Sequence, residues 1–180
     1  MPGGDESSTT VTVVTLPGLT VYEGTLASFL AGGVTLAGDM PGLAPGDTVA
    51  LAYDDSGGRQ GVRAQFAGTR GGMTVFTLFG EFARLPHVDV RSMLGQSRHR
   101  GSVLHLDAES VVVELPAKPG GNALEVSMEV AGFAARLVGR VERSQGVAGR
   151  HWLALRFEDL TPPQRAFLRT AMGAGLKKDE

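Results

Sequence analysis

The chain repeats its own pattern over most of its length, and this repeat constrains the fold more than any other feature. Pro41 aligns with Pro116, and the same offset holds without a gap through Phe82 and Phe157 to residues 85 and 160. The repeated unit is longer than the roughly 20–50 residues of solenoid repeats. It therefore predicts two copies of one small domain in tandem. Chance matching in a chain rich in glycine and alanine is the alternative, and the apolar pattern within each copy disfavours it.

The composition favours a β protein and excludes several classes of function. Glycine contributes 26 of 180 residues, about twice its usual share of roughly 7%, which is typical of a turn-rich fold. The absence of cysteine excludes disulfides, thiolate zinc sites and thiol nucleophiles. A net charge of −2 provides no overall basic field for nucleic acid or an anionic membrane. We therefore expect no binding to nucleic acid.

The chain lacks the apolar segments that direct or anchor a protein in a membrane. No apolar run approaches the roughly 18 residues of a spanning helix. The first ten residues include Asp5 and Glu6 where a signal peptide would have its apolar core. The sequence therefore predicts a cytoplasmic protein without membrane insertion.

Short alternating segments, separated by Gly and Pro, begin at residue 10. In the second copy Leu124, Val126 and Met128 alternate with Glu125 and Ser127. A period of two with one polar face is typical of antiparallel strands that are solvated on one side. Five or six such strands can hide their edges by closing into a small barrel. We therefore predict a mainly β protein with two tandem antiparallel six-stranded barrels.

A helix is expected after each barrel. Thr161 as N-cap, a proline in the first turn and Gln164 three residues on form a capping box. An apolar stripe follows, and a glycine at 173 or 175 is expected to end this helix. Residues 86–94, stopped by Gly95, form a weaker version after the first copy. The predicted organisation is a flexible tail at 1–9, a first barrel with a short helix at 10–95, a second barrel with a C-terminal helix at 96–175, and a tail at 176–180.

Three segments resemble the PilZ domain. Residues 149–164 resemble the last strand of a PilZ barrel and the step into its closing helix, residues 24–36 resemble the PilZ turn, and residues 43–49 resemble the entry to the next strand. The likeness spans roughly residues 10–174. It implies six-stranded barrels that act as bacterial receptors for cyclic di-GMP, which some members pair in one chain, as flagellar-brake proteins do.

The resemblance also implies where a ligand would bind. Family members contact cyclic di-GMP through Arg-x-x-x-Arg before the barrel and Asp/Asn-x-Ser-x-x-Gly at the turn. In the first copy only Gly33 of the turn motif is retained. The second copy has other polar residues at the turn and upstream arginines that are never four apart. The candidate ligand-binding residues are Arg91, Arg98, Arg100, His105, Asp107 and Ser110. The alternative for the arginines around His99 is a solvated linker with ordinary surface charge.

Catalysis and metal binding are not expected. The four histidines have no metal-ligand spacing, and no nucleophile elbow or phosphate loop is present. We therefore predict a non-enzyme without a cofactor, whose ligand is cyclic di-GMP. The competing hypothesis is a degenerate PilZ-like adaptor that binds a protein partner in motility, secretion or envelope assembly. Phe79 and Trp152 are predicted to face outward and to mark an interface, the alternative being cover by the domain's own helix.

Overall fold

A computed structural model describes residues 8–95 and 97–176. The described chain divides into two compact units. The first comprises residues 8–16 and 21–83, and the second comprises residues 17–20 and 84–176. The predicted tails at 1–9 and 176–180 fall mostly outside the described residues.

The first unit is a closed six-stranded antiparallel barrel. Its six strands pair around a closed ring in the order β1-β2-β3-β6-β5-β4 and back to β1. Its interior is filled by one cluster of buried apolar side chains, including Val13, Leu51 and Phe76. The strands are β1 (Thr10–Thr15), β2 (Val21–Leu30), β3 (Gly33–Ala37), β4 (Thr48–Asp55), β5 (Gly58–Arg70) and β6 (Met73–Leu78).

The second unit is a closed barrel with the same connectivity. A two-residue strand, β7 (Ala83–Arg84), precedes it in the chain. The strands pair in the order β8-β9-β10-β13-β12-β11 and back to β8. The prediction of two tandem six-stranded barrels is therefore confirmed. The strands are β8 (His87–Ser92), β9 (Arg98–Leu106), β10 (Ser110–Leu115), β11 (Ala123–Val130), β12 (Phe133–Val147) and β13 (Arg150–Glu158).

The strand registers support most of the repeat and correct its last part. Ala64 lies opposite Leu78 in the first barrel, and Gly139 lies opposite Phe157 in the second. Phe157 therefore corresponds to Leu78, and the alignment with Phe82 is wrong. The reason is length: β5 has 13 residues and β12 has 15. A longer hairpin in the second copy shifts the returning strand, so a gapless alignment cannot hold through it.

The helix predicted after the first barrel is wrong. Residues 87–92 form β8, the first strand of the second barrel, in which buried Val88 and Val90 alternate with outward-facing residues. The helical stripe relied on Val90 with Met93 and Leu94, but Met93 and Leu94 are 50% and 91% exposed. The boundary consequently lies between residues 83 and 84 and not between 95 and 96.

The C-terminal helix forms as its capping box predicts. The helix α1 (Pro162–Leu176) begins after Thr161, whose amide donates to Gln164 Oε1 at 2.8 Å, while the Gln164 amide donates to Thr161 Oγ1 at 3.3 Å. Phe167 and Leu168 bury their side chains in the core of the second barrel. The helix continues past both predicted terminal glycines. In the described part of the chain, no helix is long and apolar enough to cross a membrane.

Candidate anion-binding site

A cleft of about 920 Å³ opens on the second barrel. Its walls come from β8, β9, β11 and β12 and from the segment that leads into β8. Four arginine side chains line it, and all four residues are exposed. These arginines are Arg84, Arg98, Arg100 and Arg136.

The strand register brings several of these residues into one row across the sheet. Arg100 lies opposite Asp89, Asp89 lies opposite Ser127, and Ser127 lies opposite Arg136. Alternation along each strand directs the neighbouring residues inward, as the buried Val88 and Leu137 show. The row therefore lies on the outer face of the barrel, with an arginine at each end.

The four arginines of the cleft have no carboxylate partner in the part of the chain that the structure describes. Within residues 8–95 and 97–176, no ion pair joins a carboxylate to Arg84, Arg98, Arg100 or Arg136. Arg84 Nη2 contacts His87 Nε2 at 3.4 Å. A guanidinium fork matches the oxygen atoms of a phosphate or carboxylate in geometry and charge. The cleft is therefore suited to an anionic ligand.

Two of the predicted site residues line the cleft, and one adjacent arginine does not. Arg98 and Arg100 lie in it, whereas Arg91 does not line it. Arg91 Nη2 lies 3.3 Å from Glu125 Oε1 on the adjacent strand β11. Arg91 is therefore already paired with a carboxylate of its own barrel.

The remaining predicted residues form a separate cluster at the turn between β9 and β10. Asp107 accepts hydrogen bonds from the amides of Glu109 at 2.8 Å and Ser110 at 2.7 Å, and from Ser110 Oγ at 2.8 Å. His105 Nε2 lies 3.7 Å from Asp107 Oδ2. None of His105, Asp107 and Ser110 lines the cleft. In this turn, the Asp107 carboxylate closes the hairpin through hydrogen bonds to its own backbone.

The same hydrogen bonds determine how Asp107 ionises. Partial burial on its own would raise the pKa of its carboxyl group. Hydrogen bonds from Glu109 and Ser110, together with the charge of nearby His105, outweigh that effect and lower the pKa below its ordinary value. Asp107 is therefore held as an anion by its own turn.

The first barrel has no counterpart of the arginine cluster. The shared register places Val21 at the position of Arg98, Glu23 at that of Arg100 and Gly61 at that of Arg136. The two barrels therefore share their strand pairing, but the first barrel has no arginine at these three positions. This difference makes the first barrel an internal control for the second.

The two aromatic residues predicted at an interface have different surroundings. Phe79 is 44% exposed, and the Arg63 guanidinium lies 5.5 Å from its ring centroid. Trp152 lies on the face opposite the core residue Leu153, but it is only 1% exposed. Its indole Nε1 donates to Glu114 Oε2 at 2.8 Å. The Trp152 ring is therefore covered, and the interface predicted at Phe79 and Trp152 stays a prediction.

No protein-family model and no curated protein matches the chain. Among solved structures, it is similar to the Bacillus subtilis inhibitor of motility MotI/DgrA, with a TM-score of 0.43, 10% identity and coverage of 95% of this chain and 97% of that one. It is similar to Escherichia coli YcgR in complex with c-di-GMP, with a TM-score of 0.42, 10% identity and coverage of 95% and 85%. The PilZ domain of CeSA from a cellulose-synthesizing bacterium gives a TM-score of 0.40, 20% identity and coverage of 51% and 94%. All three TM-scores are below 0.5, so the fold assignment rests on the strand pairings above. By those pairings the chain is a tandem of two closed six-stranded antiparallel barrels with the same connectivity.

Proposed function

We propose that the chain is a cytoplasmic bacterial signalling module of the PilZ type, and that its second barrel binds cyclic di-GMP in the arginine-lined cleft. The observation that carries this proposal is the set of four guanidinium groups around one cleft, none of which has a carboxylate partner among residues 8–95 and 97–176. The cleft volume of about 920 Å³ falls in the range of roughly 300–1,000 Å³ that is typical of small-molecule sites.

The chemistry of the cleft suits a phosphorylated purine. Guanidinium groups bind phosphate oxygens in pairs, read the O6 and N7 acceptors of guanine, and stack on aromatic planes. The carboxylates of Asp89 and Glu129 add acceptors for the N–H groups of a base. Met128 and Val130 supply apolar surface at the same cleft. We propose that the cleft binds its ligand without chemical turnover.

Calorimetric titration of cyclic di-GMP into the full chain tests this proposal. We expect a saturable binding heat, and we expect Arg98→Ala to weaken binding by about 1–3 kcal/mol, the range for one good bidentate contact to guanine. Arg143→Ala removes an exposed arginine of the same barrel that does not line the cleft, and it should bind like the wild type. A wild-type titration without heat at tens of micromolar ligand would reject the proposal.

A protein-binding adaptor without nucleotide recognition is the second candidate function, and exposed apolar residues of the first barrel favour it. Phe29 and Leu30, at the end of β2, are 57% and 66% exposed. The ring centroid of Phe82 lies 5.6 Å from that of Phe29 and 5.0 Å from that of Tyr53. Recovery of a stoichiometric partner from motility, secretion or envelope assembly, with no effect of added nucleotide, would support the adaptor function.

A further inference from the structure

We infer that Arg136 is a second ligand-binding arm, opposite Arg100, and that the cleft selects ligands with two separated phosphate groups. This inference rests on the proposed function of the same cleft. Arg136 belongs to no ligand motif, and it lies 36 residues from Arg100 in sequence. Only the strand register places the two residues on one row.

The spacing of the two arms follows from the sheet. The order β9-β8-β11-β12 separates Arg100 from Arg136 by three strand spacings of about 4.8 Å each, or about 14 Å between their Cα atoms. Side chains stand roughly perpendicular to a sheet. The two guanidinium groups therefore stay apart, at opposite sides of the cleft, and do not converge on one point.

The residues between the arms disfavour an anion at the centre. Asp89 and Ser127 occupy the middle of the row. The position of Asp89 on the outer face places a carboxylate between the two arginines, and a phosphate there would meet a like charge. The hydroxyl of Ser127 and the carboxylate of Asp89 instead suit a neutral group that offers hydrogen-bond donors. From Arg100 to Arg136, the row thus has the order cation, carboxylate, hydroxyl, cation.

This order defines the class of ligand. A compact molecule with a phosphate at each side and a neutral hydrogen-bonding body between them satisfies all four positions. In a cyclic dinucleotide, two ribose units with their hydroxyl groups separate two phosphates, whereas a cyclic mononucleotide carries only one phosphate. Because the inference assigns a phosphate to each arm, a mononucleotide leaves one arm without a phosphate, and the cleft discriminates against it by that loss.

Titration of two ligands against paired variants tests the inference. We expect Arg100→Ala and Arg136→Ala each to weaken cyclic di-GMP binding by about 5–150-fold, the range that corresponds to 1–3 kcal/mol. The double variant should bind more weakly than either single variant, because each arm holds a different phosphate of the same ligand. Cyclic GMP should bind more weakly and should respond to one substitution at most. Arg143→Ala serves as the matched control on β12, and circular dichroism of each variant checks that the barrel is folded.

The outcomes separate the two claims. Wild-type affinity for cyclic di-GMP in a folded Arg136→Ala variant contradicts the role of Arg136 as a ligand-binding arm. This result leaves the proposed function of the cleft standing. Weakening of cyclic GMP binding by both substitutions shows that a ligand with a single phosphate uses both arms and also overturns the inference. A wild-type chain that binds no cyclic di-GMP overturns the proposed function and the inference together.

Discussion

Replacing Gly101 with alanine is expected to unfold the second barrel under conditions in which the wild type is stable. An ideal Cβ at this position would lie 1.9 Å from the carbonyl oxygen of Glu114 and 2.9 Å from Leu115 Cδ2. The nearest obstacle is the backbone of β10, which cannot move away without disrupting its pairing with β9 and β13. We expect a loss of about 3 kcal/mol or more, at or beyond the upper end of ordinary overpacking.

The duplicated fold supplies a graded control for this substitution. Gly24 is the equivalent residue of the first barrel, and a Cβ there would meet the flexible end of Met40 at 2.7 Å and the carbonyl oxygen of Ala37 at 3.2 Å. Gly24→Ala should therefore be milder than Gly101→Ala. Gly120 has no atom within 4 Å of an added Cβ, and its replacement should change stability by about 0.5 kcal/mol at most.

Urea unfolding followed by tryptophan fluorescence compares Gly101→Ala with Gly120→Ala, because Trp152 is the single tryptophan of the chain and belongs to the second unit. Circular dichroism follows Gly24→Ala, which lies in the first unit. Equal midpoints for Gly101→Ala and Gly120→Ala would show that β9 and β10 do not approach each other as closely as the structure places them.

Replacing Trp152 with alanine is expected to cost about 3–5 kcal/mol, the range for truncation of a large buried aromatic side chain. Its ring is 1% exposed, and its N–H donates to the carboxylate of Glu114, which is itself buried. Trp152→Phe keeps much of the ring but removes the donor. We expect this variant to lie between the wild type and Trp152→Ala, because a buried hydrogen-bonding group that loses a partner costs about 1–3 kcal/mol.

Circular dichroism is the appropriate measurement, since the substitution removes the fluorescent side chain. Phe79→Ala is the matched control: its ring is partly exposed and stacks with Arg63, an interaction worth about 0.5–1 kcal/mol at exposed sites. An unchanged melting curve for Trp152→Ala would show that neither the burial of this ring nor its hydrogen bond to Glu114 stabilises the protein.

Much of the barrel architecture could be predicted from local alternation, but one strand could not. The pattern around Val126 has clean polar and apolar faces, and it forms β11 as expected. β8 was missed because Val90 is followed by Met93 and Leu94 at helical spacing. Tertiary structure decides between the two patterns: Val88 and Val90 complete the barrel core, while the other two apolar residues remain exposed.

Only two of the four cleft arginines could be predicted as site residues from the sequence. Arg98 and Arg100 are neighbours and could be identified as a cluster, whereas Arg84 and Arg136 come from distant segments that only the strand pairing brings together. Asp107 occupies a motif position that the PilZ resemblance assigns to a ligand. Its hydrogen-bonding capacity is used within the turn, and no sequence pattern distinguishes these two uses of an aspartate.

Mapping of backbone amide chemical shifts by NMR during titration with cyclic di-GMP tests the central claim most directly, namely that the ligand binds in the arginine-lined cleft of the second barrel and not in the first barrel. We predict that the largest shifts occur around residues 98, 100 and 136, with none at the equivalent residues 21, 23 and 61. Shifts centred on the turn at 105–110, or shifts in both barrels, would contradict it.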